Sequence, residues 1–168
     1  VQERDAKVKL NHDMIYLTVQ QWLTMYTNQQ RHATKYPISI YPPLTVWRKL
    51  EAYQREGVLL ESRTLHRVME GTALVKWKKS DSGPVLAEAI LEKMMNPSKH
   101  EHPMLRPSTF TFNAVLMAWE GAAHLESPSS HMCQVEAPTR ALQLLEQLKT
   151  LYQTGWGNEL VPNRNTYR

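Results

Sequence analysis

One cysteine, Cys133, stands in the 168 residues, which excludes an intramolecular disulfide framework. Glycine is scarce, at six residues, and nowhere forms the Gly-rich loop that cradles phosphates. Aspartate occurs only as Asp5, Asp13 and Asp81, too widely separated to read as one carboxylate centre. No apolar run approaches the roughly 20 residues that span a bilayer, so no transmembrane segment is expected. The opening Val-Gln-Glu-Arg-Asp resembles neither a signal peptide nor a transit peptide. β-Branched alternation, the mark of strands, is also rare.

What is present is helix-forming. Hydrophobic content of 42% and charged content of 21% are ordinary for a folded protein, and the length suits one domain or a few stacked repeats. Leu, Ala, Met, Glu, Gln and Lys recur in long runs, and the expected fold is all-α. The net charge of +4 is unevenly spread. Residues 31–80 carry ten Lys/Arg against four Asp/Glu, and the remainder ten against twelve. A basic half attracts polyanions by counterion release, although the same pattern suits a solvated helix surface.

Helices are expected at 12–30 (Ile15, Val19, Trp22, Tyr26 inward), 45–56 (Val46, Leu50, Tyr53) and 62–79 (Leu65, Val68, Met69, Thr72). Three more follow at 84–95 (Ala87, Ile90, Leu91, Met94), 109–122 (Phe112, Val115, Leu116, Trp119) and 138–154. The last has the strongest stripe, with Ala141, Leu144, Leu145, Leu148, Leu151 and Tyr152 inward. Prolines make 32–43 a connector, residues 96–107 read as a polar loop, and 124–136 as an inserted loop. Gly57 supplies a helix stop.

The chain repeats itself. Pro107 is followed four residues on by Thr111-Phe112, and Pro162 four residues on by Thr166-Tyr167. Thr64, Thr111 and Thr166 each open a helix, at spacings of 47 and 55. The first two openings lead to second helices of one style, Leu86-Ala87-Glu88-Ala89-Ile90-Leu91-Glu92-Lys93-Met94 and Arg140-Ala141-Leu142-Gln143-Leu144-Leu145-Glu146-Gln147-Leu148.

This pattern resembles the pentatricopeptide repeat family, in which a Thr-Tyr-Asn-like start opens the first helix. An Ala-x-x-Leu-Leu-x-x-Met-like second helix follows, and Gly with Pro-Asn/Asp leads onward. The resemblance implies an α-solenoid of stacked antiparallel helix pairs. It divides the chain into divergent N-terminal helices (1–61), a repeat with a long loop (62–107), a repeat with the 124–136 insertion (108–163) and the start of another (164–168). The chain accordingly reads as a fragment or processed product. The units exceed the family's length of about 35 residues, which surface loops tolerate at small entropic cost. Tetratricopeptide repeats stack similarly and would suit a peptide-binding adaptor, but their Trp/Leu-Gly/Tyr signature is missing.

The resemblance implies single-stranded RNA binding in a mitochondrion or plastid, for transcript processing, stability or translation. Each repeat would read about one base with two side chains. Carried over, those are Asn113 with Asn163, suggesting a pyrimidine, and His66 with Ser108, for which no base is assigned. Asn113 could equally steady its helix start, and Asn163 could be a turn residue. Lys76, Lys78 and Lys79 around Trp77 offer phosphate contacts and a stacking ring. They fit at least as well a helix C-terminus with Trp77 in the core.

Catalysis is not expected. Cys133 lacks a base and an orienting partner, and His100-Glu101-His102 and His131-x-Cys133 lack the further ligands of a zinc site. Some relatives carry a metallonuclease domain with clustered aspartates, which has no counterpart in this sequence. No cofactor, metal or small-molecule substrate is expected. The rival reading is a structural or interaction subunit of a large organellar assembly, a ribosome or membrane complex, holding other protein subunits.

Overall fold

The computed structural model describes residues 2–31, 42–74, 82–96, 106–124, 131–156 and 160–167. Over these residues the chain is all-helical: α1 (Gln2–Arg31), α2 (Pro43–Arg55), α3 (Ser62–Leu74), α4 (Ser82–Met95), α5 (Thr109–Ala123), α6 (His131–Gln153) and a short 3-10 turn, η1 (Arg164–Tyr167). No strand occurs among them, and no helix is long and apolar enough to cross a membrane.

The helices pack around two central members. α3 touches α1, α2, α4 and α5, while α5 touches α3, α4, α6 and η1. Leu65, Val68 and Met69 on α3 are 0% exposed, as are Phe112 and Val115 on α5, and Trp119 is 2% exposed. Ala87, Ile90, Leu91 and Met94 fill the space from α4, as their spacing of three, one and three residues requires of one helical stripe. On α1, Val19, Trp22 and Tyr26 face inward, and the Trp22 and Tyr26 rings stack at 5.4 Å. Gly71 of α3 lies against that indole: a Cβ there would come within 2.5 Å of Trp22 Cη2.

Helix ends follow from their residues. α2 and α6 stop identically. Gly57 and Gly155 take φ of +87° and +76°, a region open to glycine, and the two amides that follow each helix bond back to it. Val58 N–H donates to Tyr53 O and Gly57 N–H to Gln54 O, while Trp156 N–H donates to Leu151 O and Gly155 N–H to Tyr152 O. This is the Schellman arrangement.

Four expectations need correction. α1 begins at Gln2, ten residues before residue 12, because the segment is rich in helix formers but has only Ala6, Val8 and Leu10 as apolar residues, too few for a periodic signal. α6 begins at His131, so residues 131–136 are helix and not loop. They contain no Gly or Pro, and the helix runs through Pro138, which forfeits a single donor. Tyr53 and Tyr152 are 44% and 46% exposed instead of buried. α2 turns Pro43, Trp47 and Leu50 inward, with Lys93 Nζ 5.1 Å over the Trp47 ring, which leaves Tyr53 outside.

Candidate nucleic-acid interface

Two of the three helix openings that carry the repeat share a side-chain device. Ser108 is extended (φ −122°, ψ 172°) and caps α5. Its Oγ accepts from Thr111 N–H at 3.4 Å, while Thr111 Oγ1 accepts from Ser108 N–H at 3.0 Å, a capping box with threonine in the usual Glu place. Asn163 and Thr166 repeat the half of this device that runs from cap to threonine: Asn163 N–H donates to Thr166 Oγ1 at 3.0 Å. At the first opening Thr64 N–H bonds Glu61 O at 3.0 Å. All three threonines are buried. At Thr111 and Thr166 the hydroxyl closes the turn while the side chain fills core space, whereas at Thr64 the turn is closed by the backbone N–H.

Each opening is also reached from the helix two places earlier in the chain. His66, two residues after Thr64, places Nε2 2.7 Å from Thr111 Oγ1. Asn113, two residues after Thr111, donates from Nδ2 to Asn163 Oδ1 at 3.2 Å. On α1, His12 Nδ1 lies 3.7 Å from Glu61 Oε1. Side chains some 50 residues apart in sequence therefore meet at corresponding places. The structure brings Asn113 to Asn163, and His66 to the capping box that contains Ser108.

The electrostatics of the two pairs differ. His66 is pushed down to about 4, first by burial and then by the charge of Arg67. Its ring also tilts against Phe110 at 5.1 Å between centroids. Asn113 is 7% exposed. Asn163 Oδ1 also accepts from Asn165 N–H at 2.9 Å, which fixes that amide's orientation and makes Asn113 the donor. Among the described residues, Asn113 Oδ1 is buried with no hydrogen-bond partner. The Ser108 hydroxyl is taken up by capping.

Phe110 is the residue that sequence reasoning missed. It is 44% exposed, beside the His66 ring and three residues before Asn113 on α5. The signal was legible: Phe110 and Phe112 are two apart, so they cannot share one helix face, and Phe112 is in the core. The two arginines that flank Thr64 and His66 are paired. Arg63 bonds Asp13 and Glu61 and lies 4.5 Å over the Tyr16 ring, and Arg67 bonds Glu70 at 2.7 Å. Lys76, Lys78, Lys79, Trp77 and His100-Glu101-His102 fall outside the described residues. Among those described, no three His, Cys, Asp or Glu side chains gather as a metal site would require.

No family model, curated protein or solved structure matches the chain.

Proposed function

We propose that the chain is a non-catalytic helical-repeat protein, an α-solenoid of pentatricopeptide type that binds single-stranded RNA in a mitochondrion or plastid. One observation carries this reading: at two successive openings a pair of polar side chains from adjacent helix pairs converges, His66 on the Ser108 capping box and Asn113 on Asn163. An exposed ring, Phe110, stands between the two pairs along α5. Two amides and a neighbouring aromatic face are the parts that reading one unstacked base needs. A base would have to displace the Asn113–Asn163 bond, a loss of about 1 kcal/mol. Stacking on Phe110 returns about 1–3 kcal/mol, which offsets that loss. The organelle rests on the resemblance alone.

The test is fluorescence anisotropy with a pool of single-stranded RNAs at low and near-physiological salt. Affinity is expected to fall with salt, Phe110→Ala to weaken all sequences alike, and Asn113→Ala to relax preference at one base only. No detectable binding near physiological salt would sink the reading. A second reading, a structural subunit of an organellar assembly, is favoured by the paired state of Arg63 and Arg67, whose guanidiniums already hold carboxylates. It would be supported by RNA binding that is absent or indifferent to both substitutions.

A further inference from the structure

α6 carries two apolar stripes where packing on α5 needs only one. The inner stripe is Ala137, Leu144 and Leu148, all buried, with Ala141 and Leu151 half-buried beside them. About a third of a turn round the helix runs an outer stripe of Val135, Pro138, Leu142, Leu145, Lys149 and Tyr152. Val135 is 63% and Leu142 64% exposed, Pro138 and Tyr152 are also exposed, and Leu145 and Lys149 are half-buried. α4 shows no such second stripe: its outward line of Val85, Ala89, Glu92 and Asn96 is half polar. The outer stripe borders the groove of about 840 Å³ between α5 and α6, with Met117 on the opposite wall.

The steps along the outer stripe are three, four, three, four and three residues, the period of a seam between two helices. They read the same from either end. A second α6 laid antiparallel therefore meets the stripe in register throughout, with Val135 opposite Tyr152, Pro138 opposite Lys149 and Leu142 opposite Leu145. Charge selects the same direction. Lys149 is the one charged residue of the stripe, and its Nζ is already held by Glu146 Oε1 at 3.1 Å. Parallel pairing would set Lys149 on its counterpart and Glu146 beside its own. Antiparallel pairing puts Lys149 level with Pro138, about 16 Å along the axis from the other lysine, and opposes the two macrodipoles.

We propose that the outer stripe of α6 is a docking surface for a second copy of this chain, joined antiparallel about a two-fold axis that passes between Leu142 and Leu145. The contact is isologous, each copy giving and receiving the same residues. One helix seam is small beside the roughly 800 Å² per partner of a standard interface, so the dissociation constant is expected at about 10 μM. Well below that concentration the chain is monomeric and α6 is uncovered. The proposal does not depend on RNA binding.

Sedimentation equilibrium of the chain from about 1 to 200 μM should show a monomer passing to a dimer and no larger species, with α6 amides exchanging more slowly as concentration rises. Leu142→Glu should weaken the dimer by about 30-fold or more while leaving the Tm of the dilute chain within about 1 °C. Direction is read by cross-linking in a Cys133→Ser background. Chains carrying Val135→Cys, mixed with chains carrying Tyr152→Cys and mildly oxidised, should give mixed disulfide dimers in preference to like-with-like ones. A chain that stays monomeric at the highest concentration overturns the proposal. So does a dimer indifferent to Leu142→Glu, or a preference for like-with-like cross-links. RNA is absent from every arm, so failure here is distinguishable from failure of RNA binding.

Discussion

His66 holds most of its ring away from water, with Nε2 at Thr111 Oγ1 and Arg67 nearby. Its folded value of about 4 lies below the ordinary 6.5, so on acidification the unfolded chain takes up the proton first. Stability is therefore unaffected above pH 6.5, declines as pH falls from 6.5 towards 4, and levels off below. At about 1.4 kcal/mol per pH unit the full decline is on the order of 3 kcal/mol. Urea denaturation at pH 7, 5.5 and 4 should show this limb, and His66→Asn should flatten it; an unchanged slope in the variant would remove His66 as the cause. The neighbouring pair makes an asymmetric prediction. Asn113→Asp sets a buried carboxylate against Asn163 Oδ1, acceptor against acceptor, and should cost about 2–4 kcal/mol. Asn163→Asp keeps an acceptor for Asn113 Nδ2 and Asn165 N–H, and should cost less than about 0.5 kcal/mol. Equal costs in thermal or chemical melts would contradict the assigned donor.

At the level of elements, close approach of α3 to α1 is set by Gly71. Gly71→Ala gains about 1 kcal/mol in helix propensity but drives a methyl into an indole that is stacked on Tyr26 and enclosed. Overpacking costs about 1–3 kcal/mol, so a net loss of up to about 2 kcal/mol is expected. Gly121→Ala on α5 is the matched control: its Cβ meets nothing within 4 Å, and the variant should be slightly more stable than the parent. If both substitutions stabilise, the α1–α3 contact is looser than described. The stripes of α3 and α4 were legible in the sequence because their apolar residues follow a 3.6-residue period without competing neighbours. α2 was misjudged because Trp47 and Tyr53 lie on adjacent stripes, and pattern alone does not choose which ring takes the inside. The start of α6 was hidden by Pro138, a stronger local signal than the breaker-free residues before it. For the candidate interface, spacing from Thr111 and Thr166 found Asn113 and Asn163. That they bond one another, and that Thr111 receives His66, depends on how helices 50 residues apart are seated, which no local pattern encodes.

Taken as a whole, the molecule does not distribute its contacts evenly. α3 is packed by four helices, and its Leu65, Val68 and Met69 are fully enclosed. α6 packs on α5 and leaves Val135, Leu142 and Tyr152 facing outward. Burial of one such side chain is worth about 1.5–3 kcal/mol, so the free energy needed to open α6 should lie well below that for α3. Repeat arrays behave as nearest-neighbour chains, in which a helix covered on one side opens without dismantling the rest. Native-state hydrogen exchange in rising urea should therefore show α6 amides exchanging through a sub-global opening, at least about 2 kcal/mol cheaper than α3 amides, which should exchange only on global unfolding. A single opening free energy shared by α3 and α6 would mean that the helices unfold as one unit, and the stacked-pair reading would lose its main energetic consequence.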